Sequence, residues 1–212
     1  MRSLFRFLAI TALAAATASC GKTAGDSSAS TYLVIDSLTA VSGATTGGNQ
    51  SATLGSDVLT CVQKTVNGQQ QLVPTIFADP GAVKLRLAAK DVTFTPTTNN
   101  EVTITRYHVQ FIRADGRNTQ GVDVPYAFDG AVTATVTTAG VTIGFDLVRA
   151  QAKQEAPLIG LVGTGTCGSS NGGAIAISTI AQVTFYGTDR VGNAVSVMGQ
   201  ISVNFANWGD PA

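Results

Sequence analysis

Hydrophobic and polar positions alternate with a period of two along most of the chain, the spacing of a strand with one face on a core. A first strand starts at Tyr32 to Ile35, and a short one covers Val58 to Val62. Val83, Leu85, Leu87 and Ala89 alternate with Lys84, Arg86 and Ala88. Val132, Ala134 and Val136 alternate with threonines, and Val141, Ile143, Phe145 and Leu147 share one apolar face. Ile175 and Ile177, then Val183 and Phe185, form another. Val195, Val197, Ile201, Val203 and Phe205 give the clearest pattern, with Gly199 standing in phase where a core side chain would be. A glycine there marks a bend or a close backbone approach.

One run changes phase. In residues 101–113, Val102 and Ile104 occupy even positions, whereas Tyr107, Val109 and Phe111 occupy odd ones. A β-bulge near Arg106 reconciles the two sets; a strand buried on both faces is the alternative. Asp79-Pro80-Gly81, Asp115-Gly116, Asp129-Gly130 and Val191-Gly192-Asn193 punctuate the runs as turns. Residues 160–173 form a long Gly-rich loop. Only Val148 to Glu155 is mildly helical, stopped by Pro157. Seven to nine strands are predicted, an all-β chain of the β-sandwich class.

The first twenty residues differ from the rest. Arg2 and Arg6 precede an apolar run from Phe7 to Ala16, too short to cross roughly 30 Å of hydrocarbon as a helix. Small residues follow, the layout of a cleaved secretory signal. Ala16-Thr17-Ala18 suits ordinary signal peptidase. Thr17-Ala18-Ser19-Cys20 resembles the bacterial lipobox, which implies cleavage before Cys20 and a lipid on its sulfur. Residues 21–31, GKTAGDSSAST, read as a flexible polar tether. The expected organisation is a signal peptide at 1–19, a lipidated Cys and tether at 20–31, and a β-sandwich domain at 32–212. Gly21 after the cysteine points, by resemblance to enterobacterial sorting, to the outer membrane; a secreted protein is the alternative.

The 212-residue chain is 44% hydrophobic but only 12% charged, about half the usual charged share of roughly 25%. Removing Arg2 and Arg6 from the 13 basic residues leaves 11 against 13 acidic ones, a mature net charge near −2. That balance supplies no field for phosphates, so nucleic acid is not an expected partner. Three cysteines are present. Lipidation of Cys20 leaves Cys61 and Cys167 as an even pair in an oxidising compartment, where a disulfide is expected. The alternative is two buried thiols.

Candidate chemistry is sparse. His108 is the lone histidine, placed mid-strand on a polar face beside Arg106 and Gln110. A general base needs a pocket, so His108 reads as structural. One His and two distant Cys do not make an ordinary zinc site. Asp115, Asp123, Asp129 and Asp189 lie in or near turns and are the oxygen ligands available to calcium, but turn formation explains them. Glu101 and Glu155 are the only glutamates and select no glycosidase pair. No metal, no cofactor and no catalytic residue is expected. Among the aromatics, Tyr107, Phe111, Tyr126, Phe128, Tyr186 and Trp208 are candidates for carbohydrate contact. Phe111, Phe145, Phe185 and Phe205 fit a core better, and Trp208 fits a cap on the core end.

Residues 181–205, AQVTFYGTDRVGNAVSVMGQISVNF, resemble the closing hairpin of bacterial Ig-like and fibronectin-type-III-like domains, where an Asp-x-x-Gly-Asn turn joins the last strands. Here that turn is Asp189-Arg190-Val191-Gly192-Asn193. The whole chain is similar to envelope lipoproteins of environmental Gram-negative bacteria, a likeness that carries no activity with it. Together these imply an Ig-like β-sandwich lipoprotein without catalysis. Its expected role is structural or protein-binding, with an envelope protein or polymer as partner. A carbohydrate- or small-ligand-binding module is the alternative. The loops at 113–130 and 160–173 are the expected recognition elements.

Overall fold

The computed structural model describes residues 29–45, 47–163, 167 and 175–208. Ten strands stand among them: β1 (Thr31–Ala40), β2 (Thr53–Asp57), β3 (Thr60–Val66), β4 (Gln69–Thr75), β5 (Asp79–Ala89), β6 (Val102–Ile112), β7 (Phe128–Val136), β8 (Val141–Val148), β9 (Ile177–Asp189) and β10 (Ala194–Ala206). One four-residue helix, α1 (Ala150–Lys153), follows β8. The chain is all-β. It forms a three-stranded sheet ordered β1-β5-β8, a five-stranded sheet ordered β2-β10-β9-β6-β7, and a separate ribbon of β3 and β4.

The alternation read in the sequence becomes the shared core of the two larger sheets. Val83, Leu85 and Leu87 of β5 and Ile143, Phe145 and Leu147 of β8 point inward and are buried. Val109 and Phe111 of β6, Val183 and Phe185 of β9, and Val203 and Phe205 of β10 join the same core. The Phe145 ring meets Tyr107 and Phe185 edge-on, each with centroids 5.3 Å apart. Phe111 meets Phe205 at 5.5 Å. Edge-to-face aromatic pairs of this kind add about 0.5–1.5 kcal/mol beyond the area they bury.

The phase change in β6 is a bulge. Its register against both β7 and β9 shifts between Ile104 and Arg106, so Ile104 and Tyr107 both face the core while Thr105 and Arg106 face out. Gly199 marks a close approach: a Cβ on it would lie 2.8 Å from Ile35 Cδ1 and 3.1 Å from Leu38 Cδ2 on β1. The missing side chain lets β1 settle onto β10.

Several expectations change. The strand placed at Val58–Val62 runs from Thr60 to Val66, and Val58 is a buried connector whose N–H donates to Ala206 O. Cys61 therefore stands near the start of that strand, not at its end. Ile175 lies before β9 and is exposed. Ala29 is buried, and Ser30 and Thr31 bond to Lys90 and Asn100, so the last residues read as tether already belong to the fold. Ten strands exceed the seven to nine foreseen because β2 and β4 carry too few apolar residues to show a period.

Candidate interaction site: the β3–β4 ribbon and its root

The sequence that builds the ribbon is polar: TCVQKTV, then Asn67-Gly68, then QQQLVPT. Turn chemistry holds it. Asn67 and Gly68 adopt φ of 52° and 78°, the doubly left-handed turn whose twist suits a two-residue hairpin. Pairing runs from Val66↔Gln69 back to Thr60↔Thr75. Counting from the turn, hydrogen-bonded and non-hydrogen-bonded pairs alternate, which puts the nitrogen of Pro74 on the outer edge, where its missing N–H costs no ladder bond. Gln63 to Gln71 is exposed throughout. The ribbon pairs with neither large sheet.

Both feet of this arm are pinned by buried polar groups. Its incoming foot is Asp57 at the end of β2; its outgoing foot is Asp79 at the start of β5. Lys153 Nζ reaches both, donating to Asp57 O at 2.8 Å and pairing with Asp79 Oδ2 at 2.9 Å. The Lys153 and Asp79 side chains are 1% and 0% exposed. Ser56 Oγ donates to Asp79 Oδ2 at 2.6 Å, and the Gly43 N–H donates to Asp79 Oδ1 at 2.9 Å. Burial pushes the Lys153 ammonium below its ordinary pKa, against the pull of the Asp79 carboxylate. Asp57 accepts Thr60 Oγ1 at 2.5 Å and the Trp208 N–H at 3.1 Å. Beside this root, Cys61 is joined to Cys167 across 106 residues, with Cα atoms 5.6 Å apart. The expected disulfide is formed.

The other sequence candidates do not converge. His108 Nδ1 lies 3.3 Å from Asp129 Oδ1, which also takes Arg106 Nη1 at 2.9 Å. Arg106 in turn stacks on the Tyr186 ring at 4.1 Å. His108 is thus one member of an exposed polar row on the outer face of the five-stranded sheet. Asp115 is gripped by Arg113 and Arg117, which hold its carboxyl far below the usual range. Asp123 accepts the Thr119 N–H, within the 113–127 loop. Burial works against ionisation of Asp189, but Asn193 Nδ2 and the Asn193 and Val191 N–H groups bond its carboxylate and hold the pKa below the ordinary value. Glu101 pairs with Arg190, and Glu155 accepts Gln151 Nε2. Among the described residues, no three of His, Cys, Asp and Glu are grouped to hold a metal.

Phe111, Phe145, Phe185 and Phe205 are buried, as are Tyr107 and Phe128. Trp208 does not cap the core end. It is 47% exposed, with its ring against Gly55 on the outer side of β2. Cys20 and most of the 160–173 loop lie outside the described residues. No described helix is long and apolar enough to cross a membrane. Sequence reading missed Lys153, Asp79, Ser56 and the ribbon. The available signals were a lysine in a short helical run and Asn67-Gly68 between two polar segments. No family model matches the chain, and no curated protein or solved structure is similar enough to count as a match.

Proposed function

We propose that this chain is an exported lipoprotein anchored through Cys20, and that its Ig-like sandwich presents the β3–β4 ribbon to another envelope protein. The carrying observation is that ribbon: a solvated arm outside both large sheets, rooted by a buried ion pair and a disulfide. A two-stranded hairpin is marginal alone in water. Its base is held by Lys153 on both feet, by further hydrogen bonds to Asp79 and by the disulfide, and two backbone edges of a ribbon suit strand addition by a protein partner. Pairing of Cys61 with Cys167 leaves Cys20 as the odd cysteine, which favours lipidation over a spare thiol. The Asp189–Asn193 turn and the core shared by two sheets support the Ig-like reading. The outer-membrane address rests on Gly21 alone. No enzymatic role is proposed, because His108, Asp129 (which stands in β7 opposite it, not in the expected turn) and the carboxylates of Asp115, Asp123 and Asp189 are engaged with neighbouring side chains and backbone. Among the described residues the exposed aromatics Tyr32, Phe94, Tyr126 and Trp208 lie on four different segments, which does not favour the carbohydrate alternative.

A photoreactive residue placed at Gln70, and separately at Thr142 on the three-stranded sheet, tests this in intact envelopes. The protein should fractionate with membranes and crosslink one discrete partner from position 70 only. Cys20→Ser should release it from the membrane fraction. Equal crosslinking from both positions would remove the arm from the proposal, and soluble wild-type protein would remove the anchor.

A further inference from the structure

The chemistry around Lys153 and Asp79 carries a second inference, one that does not rest on what the arm binds. Lys153 Nζ lies 2.9 Å from Asp79 Oδ2, and the two side chains are 1% and 0% exposed. The other contacts of the pair are those an amine needs to attack a carboxyl. Asp57 O accepts an N–H from Nζ at 2.8 Å and holds the nitrogen in place. The Gly43 N–H donates to Asp79 Oδ1 at 2.9 Å, where negative charge collects as a tetrahedral centre forms. Ser56 Oγ, on a buried side chain, donates to Oδ2 at 2.6 Å, the oxygen placed to leave. Burial favours the neutral, nucleophilic amine over the ammonium. Asp79 is paired with Val148 at the end of β8, and α1 follows that strand directly, so folding alone brings amine and carboxyl together.

We propose that Lys153 and Asp79 condense to an amide, an intramolecular isopeptide bond that ties α1 to β5. The ammonium first passes a proton to the carboxylate, which leaves an amine facing a carboxylic acid. Nζ then attacks Cγ. The Nζ–Cγ bond forms, the Cγ–Oδ2 bond breaks, and the spare amine proton travels to Oδ2 through the Ser56 hydroxyl. One water departs, and no oxidant, reductant or cofactor is consumed. Groups held in productive contact reach effective molarities of about 10⁵–10⁸ M, which offsets the poor equilibrium of amide formation between free solutes. The product also replaces two buried charges by one neutral group, which removes the desolvation cost of the pair.

Peptide mapping of the full mature chain, reduced and digested with trypsin, reads the bond directly. Residues 65–84, which contain Asp79, should appear joined to residues 150–190, uncut after Lys153 and lighter than the two peptides together by one water. Lys153→Arg keeps the positive charge but not the amine; the joined species should vanish and cleavage at position 153 should return. In pulse-labelled protein, Ser56→Ala should slow the appearance of the joined species by about a hundredfold or more, the scale of a positioned proton donor. Wild-type protein that yields a free 65–84 peptide and is cut after Lys153 would overturn the proposal and leave an ion pair alone. A water loss confined to one peptide, such as a cyclic imide at Asp115-Gly116, would overturn it equally. An unchanged rate in Ser56→Ala would strike the hydroxyl from the step.

Discussion

The two large sheets and the ribbon are built from opposite materials. In most strands of the sheets, every second residue is apolar, and those strands find their places by burying one face; Phe145 on one sheet meets Tyr107 and Phe185 on the other. In the ribbon, Gln63 to Gln71 buries almost nothing, and what order it has comes from a two-residue turn and from bonds at its foot. Hydrophobic burial at roughly 25 cal/mol per Å² holds the first region. The second depends on specific hydrogen bonds and charges. The contrast teaches that the sheets should tolerate conservative exchange of one apolar residue for another, whereas removing Lys153 or Asp79 alone would leave the other charge buried and unpaired at the ribbon root.

Phe185→Ala is the substitution that should break the comparison on the side of the sheets. The side chain is wholly buried in β9 between Tyr107 and Phe145. Truncation removes transfer energy and leaves a cavity that rigid neighbouring strands cannot fill, costing about 3–5 kcal/mol. Chemical denaturation should show a lower midpoint with an unchanged slope, and body and arm should lose protection together. Loss of order in the arm alone would mean that the two regions are less dependent on a common core than their connections imply.

The bridge is the next largest effect. For a closed loop of 106 residues, restriction of the unfolded chain is worth about 4–5 kcal/mol in the chain-entropy limit, and measured values are commonly about 2–4 kcal/mol. Replacing Cys61 and Cys167 by Ala should lower the unfolding free energy by an amount in that range, read as a lower denaturation midpoint. Exchange at the Val58 amide should stay slow, because it donates to Ala206 O and Asp57 remains paired with Ala206 in the five-stranded sheet. A loss near zero would mean that the unfolded chain is already compact between these positions.

This division also sets how far the sequence could be read. The strands of the body were legible because β5, β8, β9 and β10 carry clean alternation; the phase change near Arg106 was legible too, but only the structure decides between a bulge and a strand buried on both faces. Gly199 was visible as a gap in a phase. β2 and β4 were not visible, since TLGSD and QQQLVPT have no apolar period. The pairing of Cys61 with Cys167 could be inferred by counting. Lys153 and Asp79 could not, because a charged residue reads as solvated, and only a fold that brings Asp57, Asp79 and α1 to one point makes their burial tolerable. Asp79 was read as part of a turn and instead stands at the centre of the root. Trp208 was read as a cap because it follows the last strand, but β2 lies parallel beside β10 and offers Gly55 as a flat seat. That parallel pairing has no local signature in the chain.

The smallest effect separates two hairpin turns. The Asn67-Gly68 turn of the ribbon has no titrating group, whereas the β9–β10 turn is organised by Asp189. Its carboxylate accepts Asn193 Nδ2 at 2.8 Å, the Asn193 N–H at 2.8 Å and the Val191 N–H at 3.0 Å. These bonds favour the charged form and hold the folded pKa below that of the unfolded chain. A carboxyl with a depressed folded pKa binds fewer protons folded than unfolded, so its stabilisation is complete above the unfolded pKa, near 3.9. The stabilisation is lost as the pH falls from there through the folded value. Exchange or amide shifts at Val191 and Asn193 should therefore report a loosening turn in acid while the Asn67-Gly68 turn shows no matching step. Asp189→Asn should flatten that pH dependence and cost about 0.5–1.5 kcal/mol at neutral pH, the scale of one net hydrogen bond, because an amide oxygen replaces a carboxylate oxygen as acceptor. An identical acid step at both turns would assign the transition to general unfolding and remove Asp189 as its cause.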